Sequence, residues 1–434
     1  DSDLSGAEID SDIEKEKQIS YDRALYREDY QKLKKTMKEK LPPGEKRKKQ
    51  PDEGLSLDYA FGYRGYDCRD NVFSLKTGEI VYHVAALGIV LNTEQNSQRF
   101  YNCHTDDILC LAVSPDMSLV ATGQIGRDPP VHVWDPITMQ TSSILKGQHY
   151  RGISAVGFSK NGKSLASVGL DDYRTLVIWD WKKGEKLASQ RGHNDKIFCL
   201  RWNPHDDDRF VTVGVKHIKF WTKAGGGMTS KQGVFGKSAG KQGKQNQMCV
   251  VFGKTADICI TGGGDGCIYI WTGTTLTRKV DDAHQGPLFA ITIVQDKGYV
   301  TGGKDGKVIL WDPEFKKRIK TYELTNKNLA PDSRGILTEA TTVVRAVSLT
   351  RRIIVGTRGG EICEIEKDGR IRIPIQGHAE GEMWGLSTHP KKYEICTVSD
   401  DKTVRIWSLQ DRRMIRFKAF PDLLRTCEYS PNGK

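Results

Sequence analysis

Six tryptophans recur along this chain at nearly one interval, each near the end of a short run of alternating apolar residues: Trp134, Trp179, Trp221, Trp271, Trp311 and Trp407. The interval before Trp407 is double, and Ile365 in the run GEICEIE stands where the missing tryptophan would fall. Before the indole comes a Gly- or Ser-rich turn carrying an acid and then a β-branched run, as in GLDDYRTLVIWD, GGGDGCIYIW, GGKDGKVILWD and VSDDKTVRIWS. Alternating Val and Ile flanked by Gly and Asp turns predict tight antiparallel hairpins. A unit of roughly 40–45 residues built this way is one four-stranded blade, which cannot bury both faces alone and must stack in a ring with its neighbours. The period therefore predicts an all-β chain, a β-propeller.

A histidine precedes many of these units, at His104, His149, His193, His284 and His378. Together with the turn aspartate and the strand tryptophan, the pattern resembles the WD40 repeat family over residues 102 to 420. In that family the three side chains form a buried hydrogen-bonded network that locks the blade. The full set is matched by His284, Asp305 and Trp311, and by His378, Asp401 and Trp407. The unit ending at Trp271 keeps Asp265 but lacks the histidine, and the unit ending at Ile365 lacks all three. Those two blades are expected to lean on their neighbours.

Ahead of the repeats lies LSLDYAFGYRGYDCRDNVFSLKTGEIVYHVAALGIVLN, residues 55 to 92, where aromatics interleave with Gly62 and Gly65. That pattern predicts backbone packed closely against rings. The stretch resembles the hydrophobic motif of the echinoderm microtubule-associated protein-like family, on Gly62, Tyr63, Arg64, Gly65, Asp67, Cys68, Arg69 and Asn71, followed by TGEIVY at Thr77 to Tyr82. The resemblance implies a non-catalytic, cofactor-free module that binds tubulin or microtubules. It implies a place in the cytoplasm on the cytoskeleton, or in a ciliary axoneme, and a unit made of the motif and two joined propellers. The final LLRTCEYSPNGK reads as the first strand and turn of a further blade, so the chain is expected to be a segment of a longer protein. Seven regular blades are expected after His104. The motif is expected either to pack on the ring or to pair with Leu423 to Tyr429 as a composite blade. The alternative function is a general WD40 scaffold or substrate receptor that presents other proteins on a propeller face.

The remaining segments differ in charge. Residues 1 to 18 hold seven Asp or Glu and few apolar side chains, which predicts disorder. Residues 20 to 41 space Tyr21, Leu25, Tyr30, Leu33 and Met37 as one amphipathic helix ended by Pro42 and Pro43. A basic linker follows, and residues 32 to 49 carry nine Lys or Arg against two acids. Residues 223 to 245 carry Lys223, Lys231, Lys237, Lys241 and Lys244 with no acid and are rich in glycine, which predicts a mobile basic insertion. On a chain of formal charge +11, such segments suit an acidic, flexible polymer such as the tails of tubulin, through attraction that weakens with salt. The expected contacts are Arg47, Lys48, Lys49, Lys231, Lys237, Lys241 and Lys244.

Other classes find little support. Neither basic cluster interleaves aromatics for base stacking, which argues against nucleic acid. No run approaches the roughly 18 apolar residues of a membrane helix, and no leader opens the chain, so an intracellular protein is expected. TGGGDG at 261 to 266 precedes a strand and lacks the Lys-Ser/Thr ending of a phosphate loop. Asp171 with Asp172, and Asp400 with Asp401, fall in turns where Asp bonds nearby backbone. Cys110, Cys199, Cys259 and Cys396 sit singly in strand-like runs and read as reduced core residues, with no paired spacing for zinc.

Overall fold

The computed structural model describes residues 54–236, 245–294, 297–333, 335–338 and 342–433. The chain divides into two units, residues 1–60 and 61–434. In the first, the described residues 54–60 have no regular secondary structure. The predicted acidic segment, amphipathic helix and basic linker lie outside the described residues.

The second unit contains, among the described residues, 32 strands in eight antiparallel four-stranded sheets, numbered here in chain order. Seven follow His104 at the repeat interval, and the eighth is the hydrophobic motif itself: β1 (Phe73–Ser74), β2 (Ile80–Val84), β3 (Leu87–Asn92) and β4 (Ser97–Tyr101). The first strands of successive sheets lie side by side around an axis, in the order β5 (Ile108–Val113), β9 (Ile153–Phe158), β13 (Ile197–Trp202), β17 (Gln247–Phe252), β21 (Leu288–Val294) and β25 (Val344–Leu349). Contact between β25 and β1 closes the circle, and β2 meets β5 on the other side. The ring thus has seven blades, with the motif as the closing one. Closure leaves no innermost edge strand to recruit another chain.

Neither placement expected for the motif is the one seen: it does not pack on a completed ring but forms one of the ring's blades itself. The composite blade is not formed: residues 423–429 have no strand, and they run along β29 (Met383–Thr388), the first strand of the last sheet. Tyr429 donates its backbone N–H to Ser387 Oγ at 3.0 Å, and the Cys427 thiol lies 3.4 Å from the Cys396 carbonyl. The reason is that the motif supplies four strands of its own and needs no fifth. The sheet from β29 to β32 (Arg413–Ala419) stands outside the ring, reaching it through Phe61, whose ring lies 4.9 Å from that of Trp407, and through Arg412, which donates to the Asn96 carbonyl. Met383, Trp384 and Leu386 of β29 remain more than half exposed.

Cores sit between blades, where a strand tryptophan packs against the preceding sheet. Trp134 lies fully buried and stacked at 4.6 Å on Tyr101 of β4, and Trp271 meets Phe235 edge-on at 4.9 Å. The described cysteines are all free, and burial pushes the Cys110 and Cys199 thiols up to about 12, the behaviour of small core residues. Strand alternation puts the loops after the second and fourth strands of a blade at one end of the ring and those after the first and third at the other.

One expectation needs correcting here. The first half of the supposed insertion at 223–245 is regular structure: β15 (His217–Ala224) turns at Gly225 and Gly226 into β16 (Gly227–Gln232), the outer strand of its blade. Gly225, at φ +55°, makes the two-residue hairpin turn, and Met228 buries its side chain in the core. Gly225 and Gly226 are turn residues, and residues 237–244 lie outside the described residues.

Candidate functional site

The blade networks are built on a residue type that the tryptophan spacing did not point to. In the blade of β21, Thr301 Oγ1 accepts the indole N–H of Trp311 at 2.9 Å and lies 2.8 Å from His284 Nε2, while His284 Nδ1 faces Asp305 at 2.9 Å. His378, Asp401, Thr397 and Trp407 repeat this arrangement at 2.9, 2.8 and 2.7 Å in the last sheet. The sequence signal was present: a Ser or Thr stands nine to twelve residues before each tryptophan, on the strand that pairs with it. Ser167, Thr212 and Thr122 play the part for Trp179, Trp221 and Trp134. Burial resists the negative charge of Asp305, but the His284 bond and two backbone N–H groups hold its carboxyl below the usual range.

Where the set is incomplete, neighbours substitute. Gln124 replaces the aspartate beside His104, at 2.7 Å. His217 takes the place of His193, bonding Thr212 at 2.8 Å while the two imidazoles stack at 4.3 Å. Gln247 accepts from Thr261 in the blade of Trp271, and Asp265 turns instead to the Tyr269 hydroxyl at 2.7 Å and to Lys279 at 3.2 Å. In the blade of Ile365, Thr357 donates to the buried Glu361, whose carboxyl burial pushes up.

The hydrophobic motif runs from the rim to the ring axis. Gly65 approaches the Thr357 carbonyl so closely that a Cβ would lie 1.8 Å from that oxygen, and a Cβ on Gly377 would meet the backbone of Gly62 at 2.2 Å. Both close approaches require glycine. Tyr63, 2% exposed, lies flat against Gly356 and donates its hydroxyl to Asn71. Asn71 in turn donates to the Arg64 carbonyl at 2.8 Å and faces His83 Nε2 at 3.1 Å. Burial, aided by Arg64, pushes the His83 imidazole down to about 3. Arg64 forms ion pairs with Asp67 at 2.7 Å and with Asp107 of the next blade at 2.9 Å. Cys68 is a buried thiol.

At the axis, Asp70 adopts φ +51° and reaches Arg201 of β13, far from the motif in sequence, at 2.5 Å. The Arg69 guanidinium sits over the rings of Phe198 and Phe289 at 4.7 and 5.2 Å, and that of Arg345 over Phe289 at 4.4 Å. Ser74 of β1 donates its backbone N–H to Ser348 Oγ at 3.1 Å and its hydroxyl to the Leu349 carbonyl at 2.5 Å, which fastens the closing blade to β25. The motif thus joins the ring on both flanks and across its centre.

Of the basic residues expected to make contacts, Lys231 is an exposed side chain on the outer strand β16. Arg47, Lys48, Lys49, Lys237, Lys241 and Lys244 lie outside the described residues. Asp171 is engaged in its own turn by Tyr173 and Thr175, whereas Asp400 reaches outside its turn to the Glu382 N–H, the Trp384 indole and Arg425. No group of three or more metal-ligating side chains occurs among the described residues.

Comparison with known proteins follows the same divisions. Residues 50–89 match the model of the HELP motif, residues 97–365 that of the echinoderm microtubule-associated protein first β-propeller, and residues 368–408 that of the WD domain, G-beta repeat. The propeller match ends at Ile365, the last residue of the third strand in the blade of β25. The chain is 34% identical over 399 residues to mouse echinoderm microtubule-associated protein-like 2, covering 88% of this chain and 59% of the relative. It is 34% identical over 397 residues to the 77 kDa echinoderm microtubule-associated protein of Strongylocentrotus purpuratus, covering 88% and 55%, and 34% identical over 410 residues to human echinoderm microtubule-associated protein-like 4, covering 88% and 40%. The chain therefore spans little more than half the length of such relatives, or less. Among solved structures, the β-propeller domain of Cps50 (Swd1) from Myceliophteria thermophila superposes with a TM-score of 0.51 at 15% identity, over 69% of this chain and 96% of that one. The computationally designed Ika8 protein gives 0.51 at 21% identity, over 80% and 98%. These two share the fold alone. With its motif blade and the propeller that the blade closes, this chain belongs to the echinoderm microtubule-associated protein-like family.

Proposed function

We propose that this chain is a non-catalytic module that binds tubulin or the microtubule lattice, with basic residues of its loops meeting the acidic tubulin surface. The observation that carries the reading is the motif blade built into the family's propeller, in a family whose members bear the name microtubule-associated protein. The ring is a rigid platform, the chain is strongly basic, and residues 233–246 carry three further lysines beyond Lys231, namely Lys237, Lys241 and Lys244. Long-range attraction of this kind raises encounter rates and fades with salt. On the same reading the protein works on the cytoskeleton. Residues 423–429 begin the next blade of a second ring, and that blade covers the exposed side chains of β29.

Co-sedimentation with intact microtubules, and with microtubules stripped of their acidic tails, at low and physiological salt, tests the proposal. Salt-sensitive binding that is lost on stripping supports it. Reversing Lys231, Lys237, Lys241 and Lys244 to glutamate is expected to weaken that binding without lowering the melting temperature. Unchanged affinity removes this loop from the mechanism, and an absence of binding in every condition favours the general scaffold.

A further inference from the structure

The ring displays two exposed aromatic side chains among its described residues, Tyr150 at 67% and Tyr173 at 55%, and both belong to one blade and one end of it. Tyr150 directly follows the network histidine His149, a place held by Thr105, Asn194, Gln285 and Ala379 after the other blade-start histidines. Tyr173 stands in the turn between the second and third strands, where two other blades close theirs with Gly266 and Gly306. Neither tyrosine is required by the fold at its position.

The two rings are held near each other by contacts of the residues between and beside them. Arg151, at φ +67°, pairs with Asp172 at 2.6 Å, so each tyrosine is the sequence neighbour of one partner of an ion pair. The turn bearing Tyr173 is fixed from within: Asp171 accepts from the Tyr173 N–H at 3.0 Å and from the Thr175 hydroxyl at 2.8 Å. The Tyr173 carbonyl accepts the N–H groups of Gly192 and His193 at 3.2 Å, and its ring carries the Arg191 guanidinium at 4.2 Å. Gly126 donates to the Arg151 carbonyl at 3.2 Å and Gly147 to Asp128 at 3.0 Å. These bonds place the loops 125–130, 146–152, 170–175 and 191–196 side by side as one surface. Lys216, whose N–H meets Asn246 at 3.0 Å, carries it to the start of β17.

This surface is cationic. Including residues 215–216, its loops hold seven Lys or Arg against four Asp. Asp172 is paired with Arg151, and the seven cations against four carboxylates leave positive charge in excess around the two rings. Rigid exposed tyrosines beside arginines are the side chains that dominate protein recognition, because they bring contact area at little cost in conformational freedom.

We propose that Tyr150, Tyr173 and Arg191, with Arg127 and Arg151 beside them, form the docking surface for an extended acidic peptide, on the proposed function the acidic tail that tubulin presents. The tyrosines would cover the peptide backbone and the arginines its carboxylates. The assignment of tubulin as the source rests on the function proposed above.

The test uses the whole chain and a decaglutamate peptide followed by fluorescence anisotropy, together with sedimentation on intact and tail-stripped microtubules. Tyr150→Ala with Tyr173→Ala, and separately Arg127→Glu with Arg191→Glu, are each expected to weaken peptide binding about tenfold with an unchanged melting temperature. Both pairs should also lower sedimentation with intact microtubules and leave the residual binding to stripped ones untouched. Lys316→Glu with Lys317→Glu makes the same charge change at the opposite end of the ring and should have little effect. Peptide and microtubule binding that survive both pairs, or that fall only with Lys316 and Lys317, overturn this surface and leave the microtubule function standing. Peptide binding that depends on the tyrosines, in a chain that never sediments with microtubules, overturns tubulin as the source and the proposed function with it.

Discussion

The blades of β21 and β25 are neighbours in one ring, yet they are held in opposite ways. The first carries its lock within itself: His284, Asp305, Thr301 and Trp311 form a closed chain of hydrogen bonds. The second has Ile365 in place of the indole and pairs Thr357 with Glu361, and its outer support comes from the motif, through Tyr63 on Gly356, Gly65 on Thr357 and Ser74 on β25. A blade that lacks an internal network can be kept if another segment packs where the network would have braced it. In this chain that segment is also the one that closes the ring, so local order of the β25 blade and closure of the whole are coupled.

The largest way to break this difference is Tyr63→Ala. It removes a fully packed aromatic and leaves a cavity over Gly356, along with an unpaired Asn71 oxygen, and should cost about 3–5 kcal/mol. Hydrogen exchange is the sharper readout: amides of residues 344–375 should open before those of 288–323. Equal loss of protection in both blades would show that the β25 blade does not depend on the motif.

Asp305→Ala makes the complementary cut. It strips His284 of its buried partner and leaves two backbone N–H groups without an acceptor, at a cost of about 1–3 kcal/mol. The loss should be confined to the blade of β21. Asp265→Ala is the control, because that carboxylate bonds Tyr269 and Lys279 and touches no histidine. A thermal melt unmoved by Asp305→Ala would count against the network as a source of stability.

How far this could be read from the sequence follows from the same residues. The tryptophan period and the Gly-Asp turns encode the blades directly, because strand alternation and turn geometry are local properties. The substitutions were not legible: nothing local says that Gln247 stands in for a histidine or that His217 replaces His193, since each acts across strands separated by a turn. The axial pair of Asp70 with Arg201 was equally hidden, being a contact between one end of the chain and its middle. The glycines at 225 and 226 misled because composition does not distinguish a mobile insertion from a tight hairpin, whereas the buried Met228 does. The tyrosines at 150 and 173 were passed over because a surface aromatic in a loop leaves no periodic trace. Only exposure in the folded ring sets them apart.

The smallest expected effect sharpens the comparison by pH. His149, which bonds Ser167 and through it Trp179, is held neutral by burial, with its imidazole pushed down to about 4 despite the nearby Asp171. In the unfolded chain its value is about 6.5. Above that pH neither state holds the extra proton, and this histidine contributes no pH dependence. As pH falls below 6.5, the unfolded chain takes up a proton that the folded blade refuses until about pH 4, so stability declines across that window. Between pH 7 and 5.5 the loss from this one group is about 1 kcal/mol. Gln247 does the same structural work without titrating, so His149→Gln should flatten the pH dependence of unfolding by that amount while costing some stability at pH 7. Chemical denaturation at the two pH values measures both. If the slope is the same in the variant, His149 takes up its proton at the same pH in the folded blade as in the unfolded chain, and burial does not hold it neutral.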